Sequence, residues 1–525
     1  MSVPASSTAW PALAAHRDQL AQTRIDSLFD ADPDRGAALT HPFAGLVVDF
    51  SKQRVTARTM ALLVALAEER GVMAAVERLF AGAPVNPTEG RPALHTAVRG
   101  DEHVWVDGVD ILPEVQRGRE RMRVFASAVR EGLWKGATGL PIRSVLALGI
   151  GGSSLGPRLV LQALAGIADG PEVRFAENLD PVGLDTALAG LDPATTLVVI
   201  ASKTFTTQET MTNAAAARRW LEAALGEGAL ARHVVAATAR TDEAMRFGLP
   251  ESNVFPFGEW IGGRYSLWSS VGLPVAIAIG MPAFEHLLAG AHAADLEFRS
   301  APPERNVPLL AALVGLWNRN FLGMGVLAVL PYADRLASLP AYLQQLEMES
   351  NGKSVRIDGT PVDMPTCPAI FGQPGTPGQH AFHQWLHQGT DPAACDFIVV
   401  ATPMGTRRDA HEALLAHALA QSEALMAGRR TGDAHRDCPG DRPSTTIVLP
   451  RLEPASMGAL LALYEHKTYA QAVLWGINPF DQFGVELGKS IAGRILPAVR
   501  GQHDGGLHPA TRHLVNVLHK LSRGD

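Results

Sequence analysis

The sequence predicts an α/β fold with two mainly parallel sheets, a helical N-terminal region and a helical C-terminal tail. Short, almost uninterrupted apolar runs such as VLALGI (145–150) and TLVVIAS (196–202) lead into Gly-, Ser- and Thr-rich loops, as strands buried on both faces do. Segments with helical spacing separate these runs, the alternation that gives a parallel sheet covered by helices. Of the 525 residues, 46% are hydrophobic and 19% charged. The charged share lies below the roughly 25% of average globular chains, so a packed core is expected and disorder is not. At roughly 150 residues per domain the length suggests three or four units, or two if the α/β domains are large.

Taken in order, the first hundred residues read as mostly helical. The stretch 60–80 is Ala/Leu/Val-rich, with Glu68, Glu69, Glu77 and Arg78 at helical spacing, and Pro and Gly punctuate 82–92. Strands follow at 145–150, 173–175, 196–202 and 233–238, with helices at 158–165 and 211–225 between them. A second series places strands at 325–331, 396–402 and 444–450, helices at 341–350 and 411–427, and a terminal helix at 507–522. The uncharged stretch 265–284 is long enough to span a bilayer. It holds Ser266, Ser269, Ser270, Pro274 and Pro282, and reads instead as a buried helix and strand.

Charge and cysteine content exclude several function classes. There are 46 Lys plus Arg against 53 Asp plus Glu, a net charge of −7, and no basic stripe for nucleic acid. Arg429, Arg430 and Arg436 form a broken cluster that reads as a solvated loop. Cys367, Cys395 and Cys438 are odd in number with no C-x-x-C pair, so reduced thiols in a cytoplasm are expected rather than disulfides or a zinc knuckle. The first twenty residues lack a basic start and a sustained apolar core, so no signal peptide is expected.

In an open parallel sheet, ligands bind beyond the carboxyl ends of the strands, which directs attention to two loops. GIGGSSLGP (149–157) brings Gly149, Gly151 and Gly152 together with Ser153 and Ser154 before a helix. It fits a tight strand–helix turn and an anion site equally well, and it is not a clean G-x-G-x-x-G. SKTFTTQET (202–210) crowds Ser202, Lys203, Thr204, Thr206 and Thr207 into one turn. One Thr would be an N-cap; several hydroxyls with an ammonium favour a phosphate monoester. The tripeptides at 352–354 and 488–490 lack the Walker spacing, which argues against ATP hydrolysis.

Acid–base candidates lie further on. Glu347 and Glu349 are two apart, so on a helix at most one enters a given pocket. His380, His383 and His387 share GQHAFHQWLHQG; the last two have zinc-compatible i, i+4 spacing, but no Glu follows His383, so ordinary hydrogen bonds are expected for both. Arg264 follows two glycines in GGRYSLWSS. It fits a ligand contact, although an ion pair is the commoner fate of such an arginine.

These segments, together with EWIGGRYSLWSSVG, QLEMESNGKS, FDQFGVELGKS and NPTEGRPALHTAVR (86–99), occur in an order that resembles the glucose-6-phosphate isomerase (phosphoglucose isomerase) family, bacterial type. The resemblance runs from Asn86 to Lys489. It implies two sugar-isomerase-type (SIS) domains, each a mainly parallel sheet flanked by helices, at 116–290 and 291–505. A helical region at 1–115 would pack on the second domain, and a helical tail would cover 506–525. It also implies reversible isomerisation of glucose 6-phosphate to fructose 6-phosphate in the cytoplasm, without metal or nucleotide cofactor, by a homodimer with a shared active site and no nucleic-acid or membrane partner.

By motif position, Glu349 matches the base that moves a proton between C1 and C2, and Arg264 the cation that stabilises the enediolate. His380, supplied by the neighbouring subunit, and Lys489 match ring-opening residues. Ser202, Lys203, Thr204 and Thr207 match the phosphate cradle, while Gly152, Ser153, Gln345 and Gln482 match further substrate contacts. Gln373, Pro377 and His383 depart from the commonest pattern around His380. A non-catalytic sugar-phosphate-binding regulator would need the cradle but not Glu349, Arg264 and Lys489 together. Activity on mannose 6-phosphate is left open.

Overall fold

The structure, a computed structural model, describes residues 7–503 and 506–523. Residues 1–6 of the start read for a signal peptide, 504–505 at the end of the expected second domain and 524–525 of the expected tail lie outside the described residues. The chain divides into a larger unit ending at Pro479 and a smaller one beginning at Phe480.

The larger unit opens with a helix, Ala9–Gln19, and a hairpin of β1 (Thr40–Phe43) and β2 (Leu46–Asp49). Its two-residue turn, Ala44 and Gly45, has φ of 45° and 82°, the doubly positive geometry that matches strand twist. The region expected to be helical thus also contributes strands. The expected helix over 60–80 is two, Ala57–Glu69 and Val72–Phe80, broken where Gly71 takes φ 63°. A minimal hairpin, β3 (Trp105–Val106) and β4 (Val109–Asp110), precedes the helix Leu112–Arg130.

The first sheet contains β5 (Ser144–Leu148), β6 (Glu172–Ala176), β7 (Thr196–Ala201), β8 (Val234–Thr238) and β9 (Val254–Pro256). All pairs are parallel, in the order β6-β5-β7-β8-β9. The chain leaves β5 toward β6 on one side and then crosses to β7 on the other, so β5 and β7 flank the topological switch point. In such sheets this is where ligands bind, and the loops after these two strands are the two singled out from sequence. Burial on both faces explains why their sequences are continuously apolar.

The second sheet holds β10 (Val326–Pro331), β11 (Ala369–Gly372), β12 (Ala394–Val400) and β13 (Ser444–Leu449), mutually parallel, in the order β1-β2-β13-β12-β10-β11. The N-terminal hairpin joins its edge antiparallel, with Ile447 opposite Val48. The stretch 265–284 is buried as expected but holds no strand. After short 3-10 turns come the helices Leu273–Ile279 and Met281–Ser300, each with Pro at its first turn, where the fixed φ and missing N–H suit a helix start. No helix among the described residues is long and apolar enough to cross a membrane. The smaller unit contains the helices Phe483–Val499 and Pro509–Arg523, with Ile495, Ala498, Leu507 and Val515 clustered together.

Running through the larger unit is the helix Pro454–Trp475, buried over almost its whole circumference. It packs on Met281–Ser300 at backbone distance. A Cβ at Gly458 would overlap the Leu287 carbonyl, and one at Gly290 would overlap the Ala455 carbonyl. Gly458→Ala is therefore expected to destabilise the protein by about 1–3 kcal/mol through overpacking, read as a lower urea unfolding midpoint; an unchanged midpoint would show that the two helices separate freely.

Candidate active site

The loop after β5 is built for close backbone approach. Gly151 has φ 58° and starts a 3-10 turn, Gly151–Ser153, that leads into the helix Leu155–Ala163. A Cβ at Gly152 would overlap the Gly263 carbonyl and lie 2.5 Å from the Arg264 nitrogen. A Cβ at Gly151 would lie 2.8 Å from Gln345 Nε2. The glycines thus bring Gln345 and the Arg264 segment against this turn. The Ser153 hydroxyl makes no hydrogen bond among the described residues, whereas Ser154 is buried and donates to Glu177.

The loop after β7 does not use its hydroxyls to cap the following helix, Gln208–Leu225. Thr207 occupies the N-cap position, yet its side chain makes no cap bond; its Oγ1 lies 3.2 Å from Ser202 Oγ. Ser202 Oγ also accepts from the Phe205 nitrogen at 3.1 Å, and Thr204 Oγ1 accepts from Thr206 Oγ1 at 2.8 Å. Phe205 holds the loop in shape: it is buried in the core of the first sheet and takes φ 55°, unusual for an aromatic residue. Among the described residues the backbone N–H groups of Lys203 and Thr204 have no acceptor. With the uncapped helix start they offer donors and a positive dipole end to an anion.

The Lys203 ammonium faces elsewhere than its motif suggests. Nζ donates to the Glu259 carbonyl at 2.7 Å and to the Ile261 carbonyl at 2.9 Å. Burial first, then the Arg91 guanidinium, push its pKa down to about 8, against the opposing pull of Glu89 and Glu259.

Gln345 and Glu349 lie on one irregular turn. The helix Leu339–Leu343 widens into a π-turn, Gln344–Glu349, where a regular helix was expected; such turns concentrate at functional sites. Glu347 and Glu349 separate as their spacing demands. Glu347 is fully buried, with Lys467 Nζ 2.9 Å from each carboxylate oxygen. Burial alone would lower the Lys467 pKa, but the Glu347 and Asp396 carboxylates outweigh it and hold the ammonium above its usual range.

Glu349 is 18% exposed, and its Oε2 lies 3.6 Å from Arg264 Nη1. Arg264 combines the two fates open to it: buried, it donates from Nε to Ser350 Oγ at 2.7 Å and from Nη2 to the Pro479 carbonyl, while Nη1 faces Glu349. Tyr265 Oη lies 3.0 Å from the same Ser350 oxygen.

His380 is exposed on the helix Gly375–Ala381, with no hydrogen-bond partner among the described residues. His383 and His387 do make the ordinary hydrogen bonds expected of them, sharing Gln421 Oε1 at 3.0 and 2.9 Å. All three cysteines are free. Within the smaller unit, Gln482 stands at the N-cap position of Phe483–Val499 and Lys489 is exposed on that helix. Sequence reading passed over Ser350, Tyr265 and Lys467. The signal for Lys467 was present: a long apolar helix with Glu465-His466-Lys467 at its centre must supply buried partners for all three.

These elements define a doubly wound α/β protein suited to an anionic ligand at its switch point, with a carboxylate and a guanidinium facing each other in the adjoining segments. The chain belongs to the phosphoglucose isomerase family, whose model matches residues 49–515. It is 48% identical to the glucose-6-phosphate isomerase of Frankia casuarinae over 94% of this chain and 93% of that one. It is 49% identical to the glucose-6-phosphate isomerase of Anaeromyxobacter dehalogenans, with 96% of each chain covered. The crystal structure of a glucose-6-phosphate isomerase from Chlamydia trachomatis matches with TM-score 0.87 and 32% identity, covering 98% of this chain and 99% of that one.

The Lys467–Glu347 pair supports the π-turn from the core side. Glu347→Ala would strand a buried ammonium and is expected to cost about 3–5 kcal/mol, whereas Glu347→Ala combined with Lys467→Met should recover most of that loss. Chemical unfolding of the two variants checks this; a double variant no more stable than the single one would count against the pair.

Proposed function

We infer that the chain interconverts glucose 6-phosphate and fructose 6-phosphate, the aldose–ketose step shared by glycolysis and gluconeogenesis. The observation that carries this is the Glu349–Arg264 pair at 3.6 Å, with Glu349 partly open and Arg264 held by Ser350 and the Pro479 carbonyl. The interconversion is redox-neutral. It requires removal of a proton alpha to a carbonyl, charge stabilisation on the resulting enediolate, and return of the proton to the neighbouring carbon. Glu349 is the base, and Arg264 is the cation beside the developing oxyanion.

Ser202, Lys203, Thr204 and Thr207 hold the phosphate through hydroxyls, backbone N–H groups and the helix start. Binding there orients the reacting carbons without touching them. Gly152 and Ser153 border the sugar through the glycine turn, and Gln345 reaches it from the same turn as the base. Gln482 is a further contact. Lys489 and His380 open the sugar ring, His380 in the active site of the second subunit of a homodimer. The exposure of His380 and its lack of a hydrogen-bond partner among the described residues support that reading. The domain division is 1–115, 116–290, 291–505 and 506–525, each sheet forming the centre of one SIS-type domain, and the protein is cytoplasmic.

Turnover of fructose 6-phosphate by the chelator-treated protein, coupled to a glucose-6-phosphate-specific dehydrogenase, tests the reaction. Glu349→Gln should lose at least about 10²–10⁴-fold in kcat, the scale of a positioned base, while inorganic phosphate still binds. Near-normal turnover in that variant would remove Glu349 from the role. The shared site predicts that mixing inactive Glu349→Gln with inactive His380→Ala and allowing subunits to exchange restores activity, because one site of each hybrid dimer then carries both native residues. No recovery in confirmed hybrids would place His380 in its own subunit's site.

A further inference from the structure

We propose that the side chain of Lys203 is a strut between the phosphate loop and the arginine loop, and not itself a phosphate ligand. The inference rests on reading 202–207 as the phosphate cradle. Nζ is committed to two main-chain carbonyls, Glu259 at 2.7 Å and Ile261 at 2.9 Å. Both lie in the segment that leads from β9 through Gly262 and Gly263 to Arg264. That segment is pinned from behind by the loop at 86–94, a motif with no other assigned task. The Leu94 nitrogen donates to the Trp260 carbonyl at 3.1 Å, and Arg91 Nη1 donates to the Glu259 carbonyl at 3.4 Å. Arg91 is itself held by Glu89 at 2.5 Å.

Lys203 is therefore the side chain through which the phosphate loop grips this framework. Swinging its ammonium to a phosphate would take from the Ile261 carbonyl the side-chain donor it now has, and buried acceptors are rarely left unpaired. The phosphate has other donors in the free N–H groups of Lys203 and Thr204. Two glycines separate Ile261 from Arg264 and supply no stiffness of their own. A phosphate drawn onto the Lys203 backbone thus tightens the same residue that fixes the approach to Arg264. Occupancy of the cradle is transmitted to the placement of the oxyanion-stabilising guanidinium, and Lys203 acts as a positioning residue.

The test is Lys203→Met, which keeps the chain's shape and loses its charge, beside Lys203→Arg. Parent turnover is measured first, followed by kcat and the competitive inhibition constant of inorganic phosphate for each variant. A strut predicts that kcat falls more than about fivefold in Lys203→Met, that phosphate inhibition stays within about fivefold of the parent, and that Lys203→Arg regains part of the lost kcat. Phosphate inhibition weakened beyond fivefold, or kcat kept within fivefold, overturns the proposal.

If the methionine variant does not fold, the pH profile replaces it. The groups facing the ammonium are Arg91, Glu89, Glu259 and Arg264. Burial and the Arg91 guanidinium bring Lys203 down to about 8, so its ammonium loses its charge near that pH. A fall in kcat centred near pH 8 should appear in the parent and vanish in Lys203→Arg, whose guanidinium stays charged; a fall that persists there overturns the strut. Absence of parent turnover would sink the isomerase reading instead. The strut is then read from calorimetric phosphate affinity of Lys203→Met, unchanged if the ammonium holds protein carbonyls and lost if it holds the anion.

Discussion

A helix buried on every side leaves its charged residues nowhere to go but to one another's neighbours. Pro454–Trp475 carries Glu465, His466 and Lys467 in succession, all buried. Because consecutive residues point about 100° apart, their partners come from three directions. Glu465 accepts from Arg99 at 2.5 Å and from Trp268 at 2.8 Å; His466 meets Asp295 at 2.7 Å; Lys467 meets Glu347. Arg99 closes the circuit by also binding Asp295 at 2.7 and 2.5 Å, and outweighs burial to hold that carboxyl below its usual range. Each contact fixes a different layer: the N-terminal region through Arg99, the neighbouring helix through Asp295, and the π-turn through Glu347. Asn351 adds a second tie, donating to the Thr468 carbonyl at 3.0 Å. The segment that carries Gln345 and Glu349 is therefore bolted to the core at its middle and just past its C-terminal end, although Glu349 itself is partly open.

The first sheet was legible because double burial imposes a crude signal. A strand covered on both faces admits almost no polar residue, and the loop that follows must turn sharply into a helix. VLALGI-GGSS and TLVVIAS-KTFTT meet both conditions, and the strands Ser144–Leu148 and Thr196–Ala201 lie within two residues of the expected ends. Edge and irregular elements carry no comparable signal. β1 and β2 are four residues each, too short for periodicity, and their hairpin gains its meaning only from the pairing of β2 with β13 some 400 residues later. The strand expected within 265–284 failed for a different reason. An apolar run does not distinguish strand from buried helix, and the prolines that seemed to interrupt it are the first-turn residues of two helices.

The candidate site could be read in its glycines, hydroxyls and charges and not in its supports. Glycines and hydroxyls at strand ends announce themselves, whereas Ser350 and Tyr265 look like ordinary helix and core residues until the fold brings both to one guanidinium. The direction of Lys203 was equally hidden. Sequence places an ammonium in an anion loop, but only the path of the chain after β9 reveals two carbonyls within its reach.

The contrast between Glu347 and Glu349 shows what the fold adds. Two carboxylates of the same chemistry, two positions apart, point to opposite sides of one turn. Both oxygens of Glu347 are occupied by a buried ammonium, so it cannot accept a proton from a substrate without breaking an ion pair in a dry interior. Glu349 has water access and faces a cation 3.6 Å away, beyond the length of a good hydrogen bond. For the base proposed at Glu349, a bonded pair would blunt its basicity; a pair at this separation leaves a lone pair available while keeping positive charge close by. Arg264 in turn is held by Ser350 Oγ and the Pro479 carbonyl. In the role proposed for it, a cation held this way reorganises little as charge develops on a substrate, and in a buried setting that saving is the larger part of what a fixed cation contributes.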